Sequence, residues 1–209
     1  MWYPILITAL VGYLLGNLNG AVSMSVLLAH DDVRSHGSGN AGLTNFVRNF
    51  GIGKGIFVIL LDGGKAVLAC LLGGLLLAPY GCELEGMMVG AVAVSLGHDL
   101  PATLGFKGGK GILCGAAIAF TIDWRVGIII CVVFFALYLL TGYVSLGSLA
   151  ASAAFGLSFA LFYIGNVWVM TAGIFMAALA IFMHRENIKR LLNHTERKSN
   201  LLSKGKKEE

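Results

Sequence analysis

The sequence predicts an all-α, polytopic membrane protein of about seven transmembrane helices, with short or re-entrant segments around a cytoplasmic-side cavity. Three observations carry this. Of 209 residues, 57% are hydrophobic and 29 are glycine, while only 12% are charged, about half the usual ~25% of a soluble domain. Val126–Met183 is a run of 58 residues without Asp, Glu, Lys, Arg or His, and Met1–Ala29 is also free of them. The basic residues fall on one side of the expected spans. These facts exclude a disordered chain, a disulfide-stapled secreted module and an ordinary soluble enzyme.

The first segment is read as about Tyr3–Leu28. It has no basic start and no clear cleavage site, and Trp2 and Tyr3 suit a membrane interface, so it is read as a retained span. A polar stretch, His30–Gly53, leads to the second segment, about Lys54–Leu77. An acidic loop, Gly81–Glu85, precedes the third, about Gly86–Leu96, and a polar Gly-rich loop spans Gly97–Gly111. The fourth is about Ile112–Ile122, the fifth Val126–Leu140, the sixth Ser148–Tyr163 and the seventh Val167–Met183. At 1.5 Å per residue, an 11-residue third or fourth segment covers only roughly 17 Å of a ~30 Å hydrocarbon core. Irregular backbone at such depth is tolerated only where protein buries it or water reaches it, which predicts a polar cavity.

Alternating the sides puts 13 of the 15 Lys and Arg residues on one face; Lys65 lies within a span and Arg125 opposite. The positive-inside rule makes that face, with the C-terminus, cytoplasmic. The whole chain, 1–209, is read as one domain with a basic tail from about 184 to 209. The four cysteines form no CxxC pair and read as buried thiols.

Three polar clusters share the basic face. The first is Ser38–Arg48, SGNAGLTNFVR, which reads as a capped surface loop or as a phosphate site in which Asn45 and Arg48 share a helix face. The second is Gly97-His98-Asp99-Leu100-Pro101 followed by Phe106-Lys107-Gly108-Gly109-Lys110-Gly111. Its glycines can aim backbone N–H groups at an anion ahead of a helix, whereas a simple headgroup-binding turn needs fewer of them. It is not a Walker A loop, because Gly111 stands where Ser or Thr is required. The third is His184–Arg190, where basic residues are expected beside a span but His184 and Asn187 are not. Asp62 and Lys65, three apart within the second segment, form a structural pair or contact a substrate. No metal cluster, Ser-His-Asp order or GxSxG elbow is visible. From residues alone, an enzyme and a transporter of an organic anion both remain open.

Together the clusters resemble the bacterial membrane acyltransferase family that moves a fatty acyl group from acyl-phosphate to glycerol 3-phosphate. Its pattern is roughly SGNxGxxNxxR, GHxxPxxxxFxGGKG and RHxEN, here Ser38–Arg48, Gly97–Gly111 and His184–Asn187. The likeness extends from about Tyr13 to Leu191, and takes in Leu61–Lys65 and Tyr143–Leu146. This chain departs at Met183, at Leu113-Cys114 and at Gly142, where the family usually has a basic residue, a small residue with Thr, and Arg.

The resemblance implies an acyltransferase of the cell membrane that makes 1-acyl-glycerol 3-phosphate and phosphate, the first acylation of phospholipid synthesis. It implies no cofactor or metal, no nucleic-acid partner, contact with membrane lipids, and a partner enzyme that makes the acyl-phosphate. By the same resemblance Ser38, Arg48, Lys110 and His184 carry the reaction, and Asn40, Asn45, Lys107, Gly108, Gly109, Gly111, Ser145 and Asn187 bind substrate. An activated mixed anhydride makes a protein nucleophile unnecessary. The site must instead hold two phosphate groups, orient a hydroxyl and stabilise developing charge.

Overall fold

The computed structural model describes residues 2–199, and every element among them is helical. The first apolar run is not one helix. It divides into α1 (Trp2–Asn17) and α2 (Gly20–Ala29), with Leu18 and Asn19 between them. Asn19 starts α2: its Oδ1 accepts from Val22 N at 2.9 Å, while its Nδ2 donates to the Ala41 carbonyl at 3.0 Å. A short amphipathic helix, α3 (Leu43–Phe50), buries Phe46 and precedes the 26-residue α4 (Ile52–Leu77).

The third segment is longer than the sequence reading allowed. It is α5 (Glu83–Asp99), because Glu83 and Glu85 join its first turn, where carboxylates face the positive helix end. The fourth, α6 (Ile112–Ile122), is as short as expected. Asp123 caps α7 (Trp124–Thr141), which ends at Gly142 with φ +77°. The sixth segment starts earlier than expected, as α8 (Val144–Phe162). Then come α9 (Val167–Met183) and α10 (Arg185–Leu192), bent by 55° at His184.

Among the described residues, five segments are long and apolar enough to cross a membrane, or six if α9 and α10 count as one bent span. The expected count of seven is therefore not reached by length, and α6 is the shortfall. Large apolar side chains face outward along these helices, with Trp168 77% and Leu140 81% exposed. A water-facing surface does not carry such a belt. Helices α1, α4 and α5 touch through small residues. A Cβ on Gly73 would stand 2.0 Å from the Gly86 carbonyl oxygen, and one on Gly97 would stand 2.2 Å from that of Tyr13. Such close backbone approach suits helix packing in lipid.

The break between α1 and α2 frees carbonyls that lipid cannot satisfy. Lys65 of α4 takes them: its Nζ donates to Gly16 O at 3.1 Å and Leu18 O at 2.6 Å, and pairs with Asp62 at 2.8 Å. Asp62 also accepts from Gly20 N at 2.9 Å, the first amide of α2. Asp62 and Lys65 are thus a structural pair. Replacing Lys65 with Met leaves the Gly16 and Leu18 carbonyls without their donor and the buried Asp62 carboxylate without its nearest cation, with only Gly20 N and His98 still beside it. We expect a loss of about 3–5 kcal/mol, read as a lowered Tm in detergent.

Candidate active site

The three polar clusters converge on one cavity of about 660 Å³, within the size range of ligand sites. Each cluster arrives on a different element. The first forms the loop before α3 and the helix itself, where Arg48 lies on the last turn. The second is the segment between α5 and α6, and the third is the junction of α9 with α10. Ser38, Asn40, Asn45, Arg48, Lys110, Gly111, Ser145, His184 and Asn187 all line the cavity. An apolar wall continues it, formed by Ile130, Phe134 and Phe135 of α7, Phe155 of α8 and Met176 of α9.

Asn45 holds the first loop together. Its Nδ2 donates to the carbonyls of Val33, His36 and Asn40 at 2.9–3.1 Å, and its Oδ1 accepts from Ser38 N at 3.1 Å. The side chain is buried and its capacity is used within the loop, so its work is to shape Ser38–Asn40.

Lys107, Gly108 and Gly109 stand outside the cavity lining. Lys107 is exposed. The Gly108 and Gly109 N–H groups donate to the carbonyls of Asp99 at 3.2 Å and His98 at 3.0 Å. They do not point at an anion, as the sequence reading expected. These glycines instead let the returning chain lie against α5: a Cβ on Gly108 would stand 2.0 Å from His98 O, and one on Gly109 2.1 Å from His98 Nε2. The loop thereby delivers Lys110 and Gly111 to the cavity.

Lys110 donates to Asn187 Oδ1, and Asn187 Nδ2 donates to Glu196 Oε1 at 2.9 Å. Glu196 also pairs with Arg190 at 2.7 Å. Burial, with Arg190 nearby, pushes the Lys110 ammonium down to about 8. Burial also lowers Arg48 from its ordinary value. For Glu196, burial pushes upward, but hydrogen bonds from Arg190 and Asn187 outweigh it and hold the carboxyl below its ordinary value. His184 Nδ1 lies 2.8 Å from the Ala180 carbonyl, which can only accept, so Nδ1 carries the proton and Nε2 the lone pair. The Ser145 hydroxyl is buried beside the Glu196 carboxylate.

Sequence reasoning placed Arg190 in the third cluster without a role in the site and passed over Glu196 and Arg197; all three line the cavity. It took residues from 184 onward as a tail. The chain instead folds back: Ser199 N donates to Gly142 O at 2.9 Å and Tyr138 OH to Ser199 O at 2.8 Å. Nothing in a Lys/Arg-rich run signals this return. Lys204, Lys206 and Lys207, also assigned to the basic face, lie outside the described residues. At the positions that depart from the family pattern, Cys114 donates to Asp62 O at 3.4 Å, and the Lys198 side chain passes beside Gly142.

Residues 6–194 match the family model described as glycerol-3-phosphate acyltransferase. The chain belongs to that family. Glycerol-3-phosphate acyltransferases of Thermoanaerobacter sp. (strain X514) and Clostridioides difficile (strain 630) are 38% and 35% identical to it. The matches cover 92% and 94% of this chain, and 94% and 96% of the relatives. Crystal structures of PlsY (YgiH), an integral membrane glycerol 3-phosphate acyltransferase, superpose with TM-scores of 0.81 for its glycerol 3-phosphate form and 0.79 for its lysophosphatidic acid form. Their identities are 32% and 30%, and each covers 95% of this chain and 96% of the other. The protein is accordingly an integral membrane acyltransferase.

If Asn45 shapes the first loop, Asn45→Ala leaves three carbonyls and the Ser38 amide without this partner. We expect a cost of about 1–3 kcal/mol in thermal stability. Proteolytic cleavage within residues 33–45 should quicken before global unfolding, which limited proteolysis detects.

Proposed function

We propose that the protein transfers a fatty acyl group from acyl-phosphate to the 1-hydroxyl of glycerol 3-phosphate, releasing phosphate and 1-acyl-glycerol 3-phosphate. The observation that carries this reading is the union of a cationic end with an apolar wall in one cavity. Arg48, Lys110, Arg190 and Arg197 line the same space as Phe134, Phe155 and Met176. A phosphate-bearing acceptor suits the first and an acyl chain the second. Family membership supports the acceptor, and the sequence resemblance supports the donor.

Arg48, Lys110 and Asn187, with Ser38 and Ser145, hold glycerol 3-phosphate; Arg offers a planar fork and Lys a point charge. Asn40 and Gly111 border the donor phosphate. The hydroxyl oxygen attacks the acyl carbonyl carbon, the C–O bond to phosphate breaks, and a phosphate oxygen of the donor takes the hydroxyl proton. Bringing both substrates together supplies much of the acceleration. His184 presents Nε2 as an acceptor in its present tautomer, which suits a hydroxyl better than an unprotonated phosphate oxygen. Lys107, Gly108 and Gly109 act by shaping and delivering the loop.

The chain acts as one domain in the plasma membrane, with the cavity and C-terminus on the cytoplasmic side, where the positive-inside rule puts basic residues. Acyl-phosphate is reactive, so an enzyme that makes it is the natural partner.

Purified protein given acyl-phosphate and glycerol 3-phosphate should yield 1-acyl-glycerol 3-phosphate and phosphate in equal amounts. Acyl-CoA should not replace the donor; turnover with acyl-CoA alone would contradict the reading. In that assay Arg48→Ala should lower kcat/KM for glycerol 3-phosphate on the order of 10²-fold, the cost of losing a charge-assisted phosphate contact. Unchanged kcat/KM would remove Arg48 from the site.

Lys110 adds a pH signature. Its ammonium predominates below about 8 and is lost as pH rises through that value. The free-enzyme term kcat/KM should therefore fall on the alkaline side. Lys110→Arg, with a guanidinium that stays charged to beyond pH ~12, should flatten that limb even if its absolute rate is lower.

A further inference from the structure

The cavity has a carboxylate that the phosphate chemistry does not use. Asp99 is the last residue of α5, is 1% exposed and lines the cavity. Its Oδ1 is buried without a hydrogen-bond partner, and no ion pair is formed by its side chain among the described residues. Asp62, the other carboxylate of this inner wall, differs: it is held by Lys65, Gly20 N and His98. Glu196 is likewise occupied, by Arg190 and Asn187. A buried polar atom without a partner costs stability and calls for a reason.

The backbone around Asp99 leaves it in that state. Its own carbonyl accepts from Gly108 N, which brings the Gly-rich segment across α5. Gly111, at φ +69°, lies against the carboxyl: a Cβ there would stand 3.1 Å from Oδ1 and 3.3 Å from Oδ2. A side chain at 111 would crowd the carboxyl, and glycine keeps the space beside it on the cavity wall free. Gly111 directly follows Lys110, so one short segment borders both a cation and an unpaired acceptor.

A carboxylate repels phosphate and accepts hydrogen bonds from hydroxyls. We propose that Asp99 recognises a hydroxyl group of the acceptor substrate, and that it makes the site select a hydroxyl-bearing phosphate over a bare alkyl phosphate. This rests on the cavity's reading as a glycerol 3-phosphate site, in which the cations engage the phosphate end and Asp99 the glycerol end. It adds a selectivity residue to that reading and leaves the acyl-transfer step as described.

The test compares two ligands of the purified enzyme: glycerol 3-phosphate, through its KM, and propyl phosphate, through its inhibition constant against glycerol 3-phosphate. Propyl phosphate carries the phosphate and no hydroxyl. In Asp99→Leu, KM for glycerol 3-phosphate should rise roughly 10- to 100-fold, the effect of removing a hydrogen bond to a charged group. The propyl phosphate constant should stay within threefold of wild type. Asp99→Asn, which keeps an acceptor oxygen, should recover most of the loss. Asp99→Ala gives the same reading with a smaller change of shape if the leucine variant does not fold. Equal weakening of both ligands would make Asp99 a structural support and overturn the proposal, as would no change in either. Failure of propyl phosphate to compete in the wild-type enzyme would instead count against the phosphate cradle itself.

Discussion

One ammonium group organises the N-terminal half of this protein. Lys65 Nζ fills the break between α1 and α2, binds two freed carbonyls and is neutralised by Asp62, which in turn caps the first amide of α2. In lipid an interrupted helix survives only when its loose backbone groups find partners within the protein. The same pair contacts His98 of α5, with Lys65 Nζ 3.0 Å from its Nδ1. Three helices are thereby fixed relative to one another at the level of the cavity. Glycine contacts among α1, α4 and α5 make that meeting close enough to exclude lipid.

The site hangs on this junction. Asn19, in the break itself, holds the Ala41 carbonyl and so ties the first polar loop to the broken span. His98 and Asp99 supply the carbonyls against which Gly108 and Gly109 fold, and this sets where Lys110 and Gly111 emerge. The third contribution comes from the other half of the chain, where the bend at His184 turns Asn187 and Arg190 toward Lys110. A cavity assembled from three remote stretches needs rigid reference points, and the buried pair provides the first of them. The charge arrangement follows the chemistry proposed for it: cations toward the phosphates, acceptors toward hydroxyls, and aromatic side chains along the acyl chain.

Much of this was legible in the sequence. Apolar runs and a shortage of charge gave the membrane class. Gly97–Gly111 announced a segment of special backbone, and the shortness of α6 was visible in its residue count. The break in the first span left a local trace in Gly16-Asn17-Leu18-Asn19-Gly20, but these residues lie in a charge-free run, and the stabilising partner, Lys65, lies 47 residues beyond Leu18. Asn45 was singled out correctly as a residue of the cluster, but only the fold shows that its amide is consumed by the loop. Gly108 and Gly109 have two physical uses, N–H groups facing an anion or close packing on a neighbouring backbone, and the sequence alone does not choose between them. Glu196 was hidden because a single acid in a basic run carries no local signal; its place depends on the chain folding back to Gly142.

The Lys65–Asp62 junction couples the broken span to the loops of the active site. Backbone hydrogen exchange in detergent tests it most directly, comparing the wild-type protein with Lys65→Met by fragment. Exchange should quicken not only around Gly20 but also across residues 36–45 and at Gly108 and Gly109, whose amides bond to the Asp99 and His98 carbonyls. Faster exchange confined to residues 16–22, with the two loops unchanged, would contradict this coupling.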